Sequence, residues 1–348
     1  MRIAIFSRPG ACFPNIISLG LQAMLKDLGI ENRIFYDSIP MLMRLLPLNY
    51  KPKRWHNNLQ FRIRNKITHY FADRKLMREI SKYDAIILSE CYPNAFWKNF
   101  FAIKELRNRY KGCIISYTES PLDSAPLNKK KHMDDDDYDE LLYDYNLFVT
   151  GLMEVKTDLK QNQAVIGVNL DNKELLKPTE KDEFFALIDF AQPGYETQRK
   201  QQLSVLKKLG VKYIALEGRY PIDEIRRLYS KAAVFFLAFP ETFGLPISEC
   251  LACGTYVFTP NSSWPMAWRL DENPVSMGPG LLPACFQVYD GDMDLENKLK
   301  NLMHTYNLKH TPEYVFNNFI EHYGRFYFGE PNALLDITKK MAIGSIKN

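Results

Sequence analysis

Short apolar runs alternate with longer amphipathic stretches along this chain. Residues 1–7 form the first apolar run, and apolar side chains then recur at helical spacing from Ile16 to Leu28 before Gly29 closes the pattern. A second apolar run follows at 33–37. The two runs are typical of strands, and the segment between them is typical of a helix. This strand–helix–strand opening predicts a parallel sheet with right-handed crossovers.

The same alternation continues with one polar interruption. Further strands are predicted at 84–89, 113–117, 147–150, 164–168, 184–190 and 212–217. Helices are predicted at 96–110, 197–209, 223–231, 295–302 and 313–339. The interruption at 169–182 contains Pro178 and is interpreted as a linker. Two β-α-β blocks joined by a linker predict an α/β protein with two Rossmann-like domains facing each other across a cleft.

The most informative stretch is 232–260. It opens with the apolar run 234–238, whose β-branched and aromatic residues are typical of a strand buried on both faces of a parallel sheet. Gly244 then marks a turn, a helix begins near Pro246, and another strand follows at 256–258. A glycine turn before a helix presents free backbone N–H groups and the positive end of the helix dipole. The stretch therefore predicts a site for an anion, usually phosphate.

Two glutamates flank this turn, with seven residues between them. Glu241 precedes the helix and Glu249 lies inside it. A carboxylate beside a phosphate site is electrostatically unfavourable, which favours another role, such as hydrogen bonding to the hydroxyls of a sugar or a ribose. The alternative is structural: Glu249 is then a solvated helix residue, and Glu241 is a first-turn acid favoured by the helix dipole.

This stretch carries a family resemblance. Residues 241–255, which read ETFGLPISECLACGT, resemble the donor-site signature of retaining glycosyltransferases with the GT-B fold, the group 1 or glycogen synthase-like enzymes. Upstream, residues 220–232 (YPIDEIRRLYSKA) resemble the V-P-x-E-E-L-x-x-L-Y-x-x-A helix of these enzymes. The resemblance implies a GT-B architecture whose C-terminal helix crosses back to the first domain.

The resemblance also implies roles for individual residues. Glu241 is implied to be the catalytic-site residue that binds hydroxyls of the transferred sugar, and Glu249 is implied to bind the ribose. The turn that holds the diphosphate through backbone N–H groups comprises Thr242, Phe243, Gly244 and Leu245. In this family the leaving phosphate accepts the proton of the acceptor, so no protein nucleophile, metal or separate cofactor is implied. The co-substrate is a nucleotide sugar, for example a UDP- or GDP-sugar.

The chain departs from the family pattern at three places. The family has Gly-Arg where this chain has Asp189-Phe190, and Arg199 and Lys200 are the nearest bases that could bind phosphate instead. The family's glycine pair after the first strand is represented only by Gly10, which we assign to donor binding. A first-domain histidine is replaced by the segment 117–120. These departures leave open a second hypothesis, a degenerate non-catalytic GT-B-like binding or partner protein.

The implied reaction is hexosyl or related glycosyl transfer to a glycan or lipid-linked acceptor, as in the synthesis of cell-envelope polysaccharides. The predicted acceptor domain comprises 1–168 together with a C-terminal helix at about 320–348. The predicted nucleotide-sugar domain is 183–319, after the linker 169–182. A Rossmann oxidoreductase is disfavoured because the chain lacks the G-x-G-x-x-G fingerprint.

The composition of the chain further limits the class of protein and the kinds of site that it can contain. Hydrophobic residues make up 46% of the 348 residues and charged residues 25%, which is ordinary for a globular protein of about two domains. The sequence contains no run of eighteen apolar residues, so no membrane-spanning helix is predicted. Cys250 and Cys253 form a C-x-x-C without a second ligand pair and are interpreted as packed helix neighbours in a reduced, cytoplasmic protein. The aspartates at 134–137 are interpreted as a solvated loop, so no metal site is predicted.

The segment 38–71 contains seven Lys or Arg residues and no acid, interleaved with apolar residues such as Trp55. This pattern suits peripheral contact with an anionic membrane at its inner face. The alternative is a solvated cationic surface with a few apolar residues directed to the core. Nucleic acid is not a predicted partner because no recognisable binding module is present.

We predict that the protein binds anionic liposomes in a salt-sensitive manner through this segment. Replacement of Lys51, Lys53 and Arg54 by Glu should abolish the binding, because each base near an anionic surface contributes roughly 1 kcal/mol. Liposome flotation at low ionic strength, where attraction is strongest, measures the effect. Failure of the wild-type protein to float with the lipid would leave the segment as an ordinary surface or as a site for a soluble acidic acceptor.

Overall fold

The computed structural model describes residues 1–7, 9–10, 12–36, 74–89, 103–119, 143–151, 156–171, 173–237, 239, 241–260, 265–270 and 281–346. The chain folds into two compact units. The first unit consists of Met1–Val149, Val155–Ile166 and Glu330–Asn348. The second unit consists of Thr150–Glu154 and Gly167–Gly329.

The regular elements alternate between strand and helix. The strands are β1 Arg2–Ser7, β2 Glu31–Tyr36, β3 Ala85–Ser89, β4 Cys113–Thr118, β5 Tyr145–Phe148, β6 Gln163–Val165, β7 Phe185–Ile188, β8 Lys212–Ala215, β9 Val234–Phe236, β10 Tyr256–Thr259 and β11 Phe286–Val288. The main helices are α1 Phe13–Asp27, α2 Ile103–Arg109, α3 Glu196–Lys208, α4 Ile222–Lys231, α5 Leu245–Ala252, α6 Gly291–Thr305, α7 Thr311–Phe328 and α8 Pro331–Ile346. Short 3-10 turns occupy Leu159–Gln161 and Met266–Trp268.

The first unit contains a six-stranded parallel sheet in the order β2-β1-β3-β4-β5-β6. The central strand β3 is buried throughout, as its continuous apolar sequence predicts for a sheet covered on both faces. The edge strand β2 is only partly buried. Helix α8 belongs to this unit, and its Lys340 donates a hydrogen bond to Asn162 Oδ1. The predicted return of the C-terminal helix to the first domain is therefore confirmed.

The second unit contains a five-stranded parallel sheet in the order β11-β10-β9-β7-β8. The chain moves outward from β7 to β8, and then returns to the other side of β7 to add β9, β10 and β11. The strand order therefore reverses between β7 and β9, and parallel sheets bind ligands outside the carboxyl ends of the strands at such a point. Phe235, Phe236 and Phe258, which are fully buried, form part of the core around these strands.

Several predicted boundaries shift in the structure. The predicted helical region 313–339 is two helices, because Gly329 adopts φ 72° and ends α7 before Pro331 opens α8. Of the predicted helix 96–110, only α2 falls among the described residues. The segments 38–71 and 134–137 lie outside the described residues.

The segment interpreted as a linker, 169–182, is packed into the second unit, which begins at Gly167. Lys181 in this segment is only 3% exposed. Its Nζ donates hydrogen bonds to Ser230 O at 2.7 Å and to Cys253 O at 2.8 Å. These carbonyls lie in the last turn of α4 and at the C-terminal cap of α5, where a helix dipole favours a cation.

Burial lowers the pKa of the Lys181 ammonium to about 8, against an ordinary value of 10.5. The buried side chain binds neutral carbonyls at two helix ends, so the charged form loses hydration without gaining a carboxylate. The segment thus fastens the start of the second unit to the ends of the two helices that flank β9. A polar sequence with a proline did not reveal this long-range role.

We predict that Lys181→Met lowers the free energy of unfolding by roughly 1–3 kcal/mol, because two buried carbonyls lose their hydrogen-bond donor. Since the folded pKa lies below the unfolded one, the unfolded state holds more protons between pH 8 and 10. The contribution of Lys181 to stability therefore rises with pH across this window. The difference in the free energy of unfolding between wild type and the variant should rise with it. Chemical denaturation of both proteins at pH 8 and at pH 10 measures this difference.

The exposed neighbour Lys177 provides a matched control, and Lys177→Met should leave the free energy of unfolding unchanged at both pH values. A Lys181→Met protein as stable as wild type would contradict the assigned role.

Candidate functional site

The candidate site lies in the second unit, at the carboxyl ends of β7 and β9. These two strands flank the point where the strand order reverses. The Asp189 N–H donates to Phe236 O at 3.0 Å and so ties the end of β7 to the end of β9. The chain that leaves β9 passes through Glu241–Gly244 into α5, which puts the predicted anion turn at this edge of the sheet.

The turn before α5 is held in place through its carbonyl groups. The Ala267 N–H donates to Thr242 O at 2.9 Å, and Trp268 Nε1 donates to Phe243 O at 2.6 Å. The C=O and N–H of a trans peptide point in opposite directions. Because these two carbonyls face the segment Met266–Trp268, the N–H groups of Phe243 and Gly244 face away from it. The turn therefore presents its donors on the side opposite to its supports.

Gly244 is required by the shape of this turn. It has φ 66° and ψ 95°, which L-residues with a side chain rarely adopt. A Cβ at this position would lie 2.9 Å from Ile247 Cδ1 and 3.4 Å from Glu241 Cβ. Gly244 is also the N-cap of α5, and no side chain in the described part of the chain caps it. At the start of α5, the Ile247 N–H donates to Gly244 O at 2.9 Å, and Pro246 has no N–H. The N–H of Leu245 therefore lies at the positive end of the helix dipole, where an acceptor is favoured.

An aromatic layer supports the turn from below. Phe243 and Trp268 are both fully buried and stack with ring centroids 5.7 Å apart and planes 7° apart. Phe326 of α7 contacts both rings, at 4.7 Å from Phe243 and 4.9 Å from Trp268. Tyr323, where α7 departs from helical geometry, donates through its hydroxyl to Arg269 O at 3.1 Å. The position of the turn therefore depends on the packing of α7.

Of the two glutamates, Glu241 is half-buried at the start of the turn and Glu249 is 3% exposed in the second turn of α5. Glu249 forms an ion pair with Arg226 of α4, whose Nε and Nη2 lie 2.9 and 2.7 Å from Glu249 Oε1. Arg226 Nη2 also donates to Asp171 Oδ1 at 2.7 Å. Glu249 is thus not the solvated helix residue of the structural alternative. The sequence did not indicate its partner.

These buried charges shift one another's pKa values. Burial raises the pKa of the Glu249 carboxyl, and the Arg226 guanidinium opposes this shift. Burial alone would lower the pKa of Arg226, but the carboxylates of Glu249 and Asp171 outweigh it and raise the pKa. Arg226 therefore remains a cation under all ordinary conditions.

Arg199 and Lys200, the predicted substitutes for the family's phosphate ligands, differ in their surroundings. Arg199 is 8% exposed, and its guanidinium donates to Asp189 O at 2.8 Å and to Leu216 O at 3.2 Å. It joins the carboxyl ends of β7 and β8 beside the switch point. Lys200 is exposed on α3. Phosphate binding by either residue stays a prediction.

Asp189, at the end of β7, is a buried acid that our site assignment omitted. It is 3% exposed, and its Oδ1 accepts a hydrogen bond from Phe190 N at 2.8 Å. Burial raises the pKa of the carboxyl to about 7, against the weaker opposing effects of this hydrogen bond and of Arg199. Its position directly after a buried strand was the signal available in the sequence.

Gly10 lies in the first unit and follows β1 with φ 103°. Its carbonyl accepts from Cys12 N at 3.0 Å and from Asn15 Nδ2 at 2.7 Å, which shapes the turn into α1. Cys250 and Cys253 are buried as predicted. Among the described residues, no group of three His, Cys, Asp or Glu side chains is arranged to hold a metal ion. No helix in the same part of the chain is long and apolar enough to cross a bilayer.

Comparison with known proteins identifies the fold. No protein-family model matches the chain, and no curated protein matches it. Among solved structures, the catalytic domain of starch synthase IV from Arabidopsis thaliana, bound to ADP and acarbose, matches 98% of this chain and 99% of its own, with a TM-score of 0.55 and 9% identity. A putative UDP-N-acetylglucosamine 2-epimerase from Listeria monocytogenes matches 94% of this chain and 98% of its own, with a TM-score of 0.50 and 9% identity. The two parallel-sheet α/β units therefore form the GT-B fold, as predicted.

We predict that Asp189→Asn stabilises the protein above pH 7 by roughly 2–4 kcal/mol. Because the folded pKa is raised, Asp189 favours the folded state below pH 4, and this contribution is lost as pH rises through 7. The asparagine amide resembles the neutral acid and does not ionise, so the gain should shrink below pH 5. Denaturant unfolding at pH 5 and pH 8 measures both values.

The exposed Asp182 serves as the control, and Asp182→Asn should show no such pH-dependent gain. An Asp189→Asn protein less stable than wild type at pH 8 would mean that the carboxylate is needed in its charged form.

Proposed function

We propose that this protein transfers a sugar from a nucleotide sugar to a glycan or lipid-linked acceptor, with retention of configuration at the anomeric carbon. The observation that carries the proposal is the α5 turn, whose carbonyls at Thr242 and Phe243 are held by the segment Met266–Trp268 so that the N–H groups of Phe243 and Gly244 point away from this segment. The GT-B fold and the motif at 241–255 support the same reaction.

The diphosphate of the donor is proposed to lie on the turn Thr242–Leu245. Backbone N–H groups of Phe243, Gly244 and Leu245 would donate to its oxygens, and the dipole of α5 adds favourable potential. Negative charge grows on the leaving phosphate as the glycosidic bond breaks. Donors already fixed in position stabilise that charge without reorganising, which is the main way such a site lowers the barrier.

Glu241 is proposed to bind hydroxyls of the transferred sugar and so to orient its anomeric carbon. The bond from this carbon to the phosphate oxygen breaks, and a bond to the acceptor oxygen forms on the same face. The acceptor's proton passes to an oxygen of the departing phosphate. This route needs no protein nucleophile, and we propose that it needs no metal or separate cofactor.

Three further assignments belong to this proposal. Arg199 and Lys200 are proposed to contribute positive charge for the phosphates, Gly10 is proposed to contribute to donor binding, and Glu249 is proposed to bind the ribose. The acceptor class, a cell-envelope glycan or its lipid-linked precursor, fits a cytoplasmic protein that contacts an anionic membrane through 38–71.

We predict that Gly244→Ala weakens nucleotide binding at least tenfold, because the methyl group strains the backbone and displaces the turn. Gly210, with φ 67° and open space around it, is the matched control. Gly210→Ala should leave binding unchanged. Calorimetric titration with UDP, ADP and GDP measures affinity.

Catalysis is tested separately with the sugar conjugates of the nucleotide that binds. Glu241→Gln should reduce donor hydrolysis and transfer by about a hundredfold while nucleotide affinity changes little, since Glu241 is proposed to contact the sugar alone. Nucleotide binding without turnover of any sugar conjugate would favour the non-catalytic alternative. No binding of any nucleotide would overturn the proposed function.

A further inference from the structure

The ion pair between Arg226 and Glu249 is unusually one-sided. Both guanidinium contacts, from Nε at 2.9 Å and from Nη2 at 2.7 Å, reach the same carboxylate oxygen, Oε1. An arginine that clamps a carboxylate for structural reasons commonly uses both oxygens in a parallel two-bond arrangement. Here the two side chains are only 1% and 3% exposed, yet the contact leaves Oε2 aside.

The second oxygen of Glu249 has no donor in the described part of the chain. Among the described residues, the hydrogen bonds to the Glu249 side chain come from Arg226 of α4 and end on Oε1. Oε2 is not among the fully buried polar atoms that lack a partner in the described part of the chain, so it is accessible to solvent and open to a ligand. An external hydroxyl would satisfy it.

Arg226 is also shared between two acids. Its Nη2 donates to Asp171 Oδ1 at 2.7 Å as well as to Glu249. One cation therefore faces two carboxylates, so the trio keeps a net negative charge when both acids are ionised. Glu249 is fixed in place by this contact without being fully neutralised. It retains the capacity of a strong hydrogen-bond acceptor at Oε2.

We propose that Arg226 is a positioning residue for nucleotide recognition: it fixes Glu249 through Oε1 so that Oε2 accepts a hydrogen bond from one ribose hydroxyl. This inference rests on the proposed function, because it assumes that a nucleotide occupies the α5 turn. Arg226 itself would not touch the ligand. The recognition is then made by a single oxygen, and it depends on a residue of a neighbouring helix.

If the ion pair between Arg226 and Glu249 has only a structural role, a different result is expected. If Arg226 only stabilises the packing of α4 against α5, its removal weakens every nucleotide equally, whether or not the ribose carries hydroxyls. If Arg226 positions Glu249, its removal erases the preference for the hydroxylated ligand and has less effect on the ligand that lacks hydroxyls. The difference between two ligands therefore separates the two roles.

The test is a thermodynamic cycle on the full chain. UDP, ADP and GDP are titrated first, and the tightest binder is compared with its 2′,3′-dideoxy analogue. Wild type should prefer the hydroxylated nucleotide at least tenfold. Arg226→Met and Glu249→Gln should each reduce this preference to less than threefold, whereas Arg227→Met, on the exposed neighbour, should preserve it.

The other possible results of this test would overturn either the positioning role of Arg226 or the proposed function. A folded Arg226→Met protein that keeps the tenfold preference overturns the positioning role while leaving the proposed function intact. A wild type that binds nucleotide without any preference also overturns it. A wild type that binds no nucleotide overturns the proposed function itself. Where Arg226→Met fails to fold, Arg226→Lys decides, since a single ammonium cannot reproduce both contacts and should lower the preference at least threefold.

Discussion

The second unit depends on the two hydrogen bonds that hold the carbonyls of Thr242 and Phe243 against the segment Met266–Trp268. They set the direction of the N–H groups of Phe243 and Gly244, and the aromatic layer of α7 keeps the segment in position. The geometry of the turn therefore depends on packing against distant residues as well as on its local sequence. A loop held only by its own glycine would have to order itself around each ligand, at an entropic cost of roughly 1–2 kcal/mol per residue.

Buried cations are a second constraint on this unit. Lys181 binds carbonyls at two helix ends, Arg199 binds carbonyls at two strand ends, and Arg226 binds two carboxylates. In each case the charge joins elements that are distant in sequence. These cations hold internal partners, so under the proposed function backbone N–H groups would supply most of the contacts to an anion at the switch point.

The sequence predicted those features that depend on local signals. The β-α alternation and the buried strand around Phe235 follow from periodicity, and the Gly244 turn follows from backbone chemistry that only glycine allows. The missed features depend on distant contacts: the Lys181 hydrogen bonds, and the pairing of Arg226 with Glu249 across 23 positions. Strand β11 was also missed, because three residues give no usable period and its pairing with β10 defines it.

Magnitudes show why the carboxylates would matter if a nucleotide diphosphate binds at the α5 turn, as proposed. Three charge-assisted bonds from backbone N–H groups contribute about 1.5–3 kcal/mol each. Loss of translational and rotational freedom on binding costs about 4–15 kcal/mol. The diphosphate contacts alone therefore reach at best weak affinity. In the proposed function, hydrogen bonds from sugar and ribose hydroxyls to Glu241 and Glu249 would supply the difference. A glutamate beside a phosphate turn is thus consistent with selectivity, because it favours ligands that carry hydroxyls and opposes simple anions by repulsion.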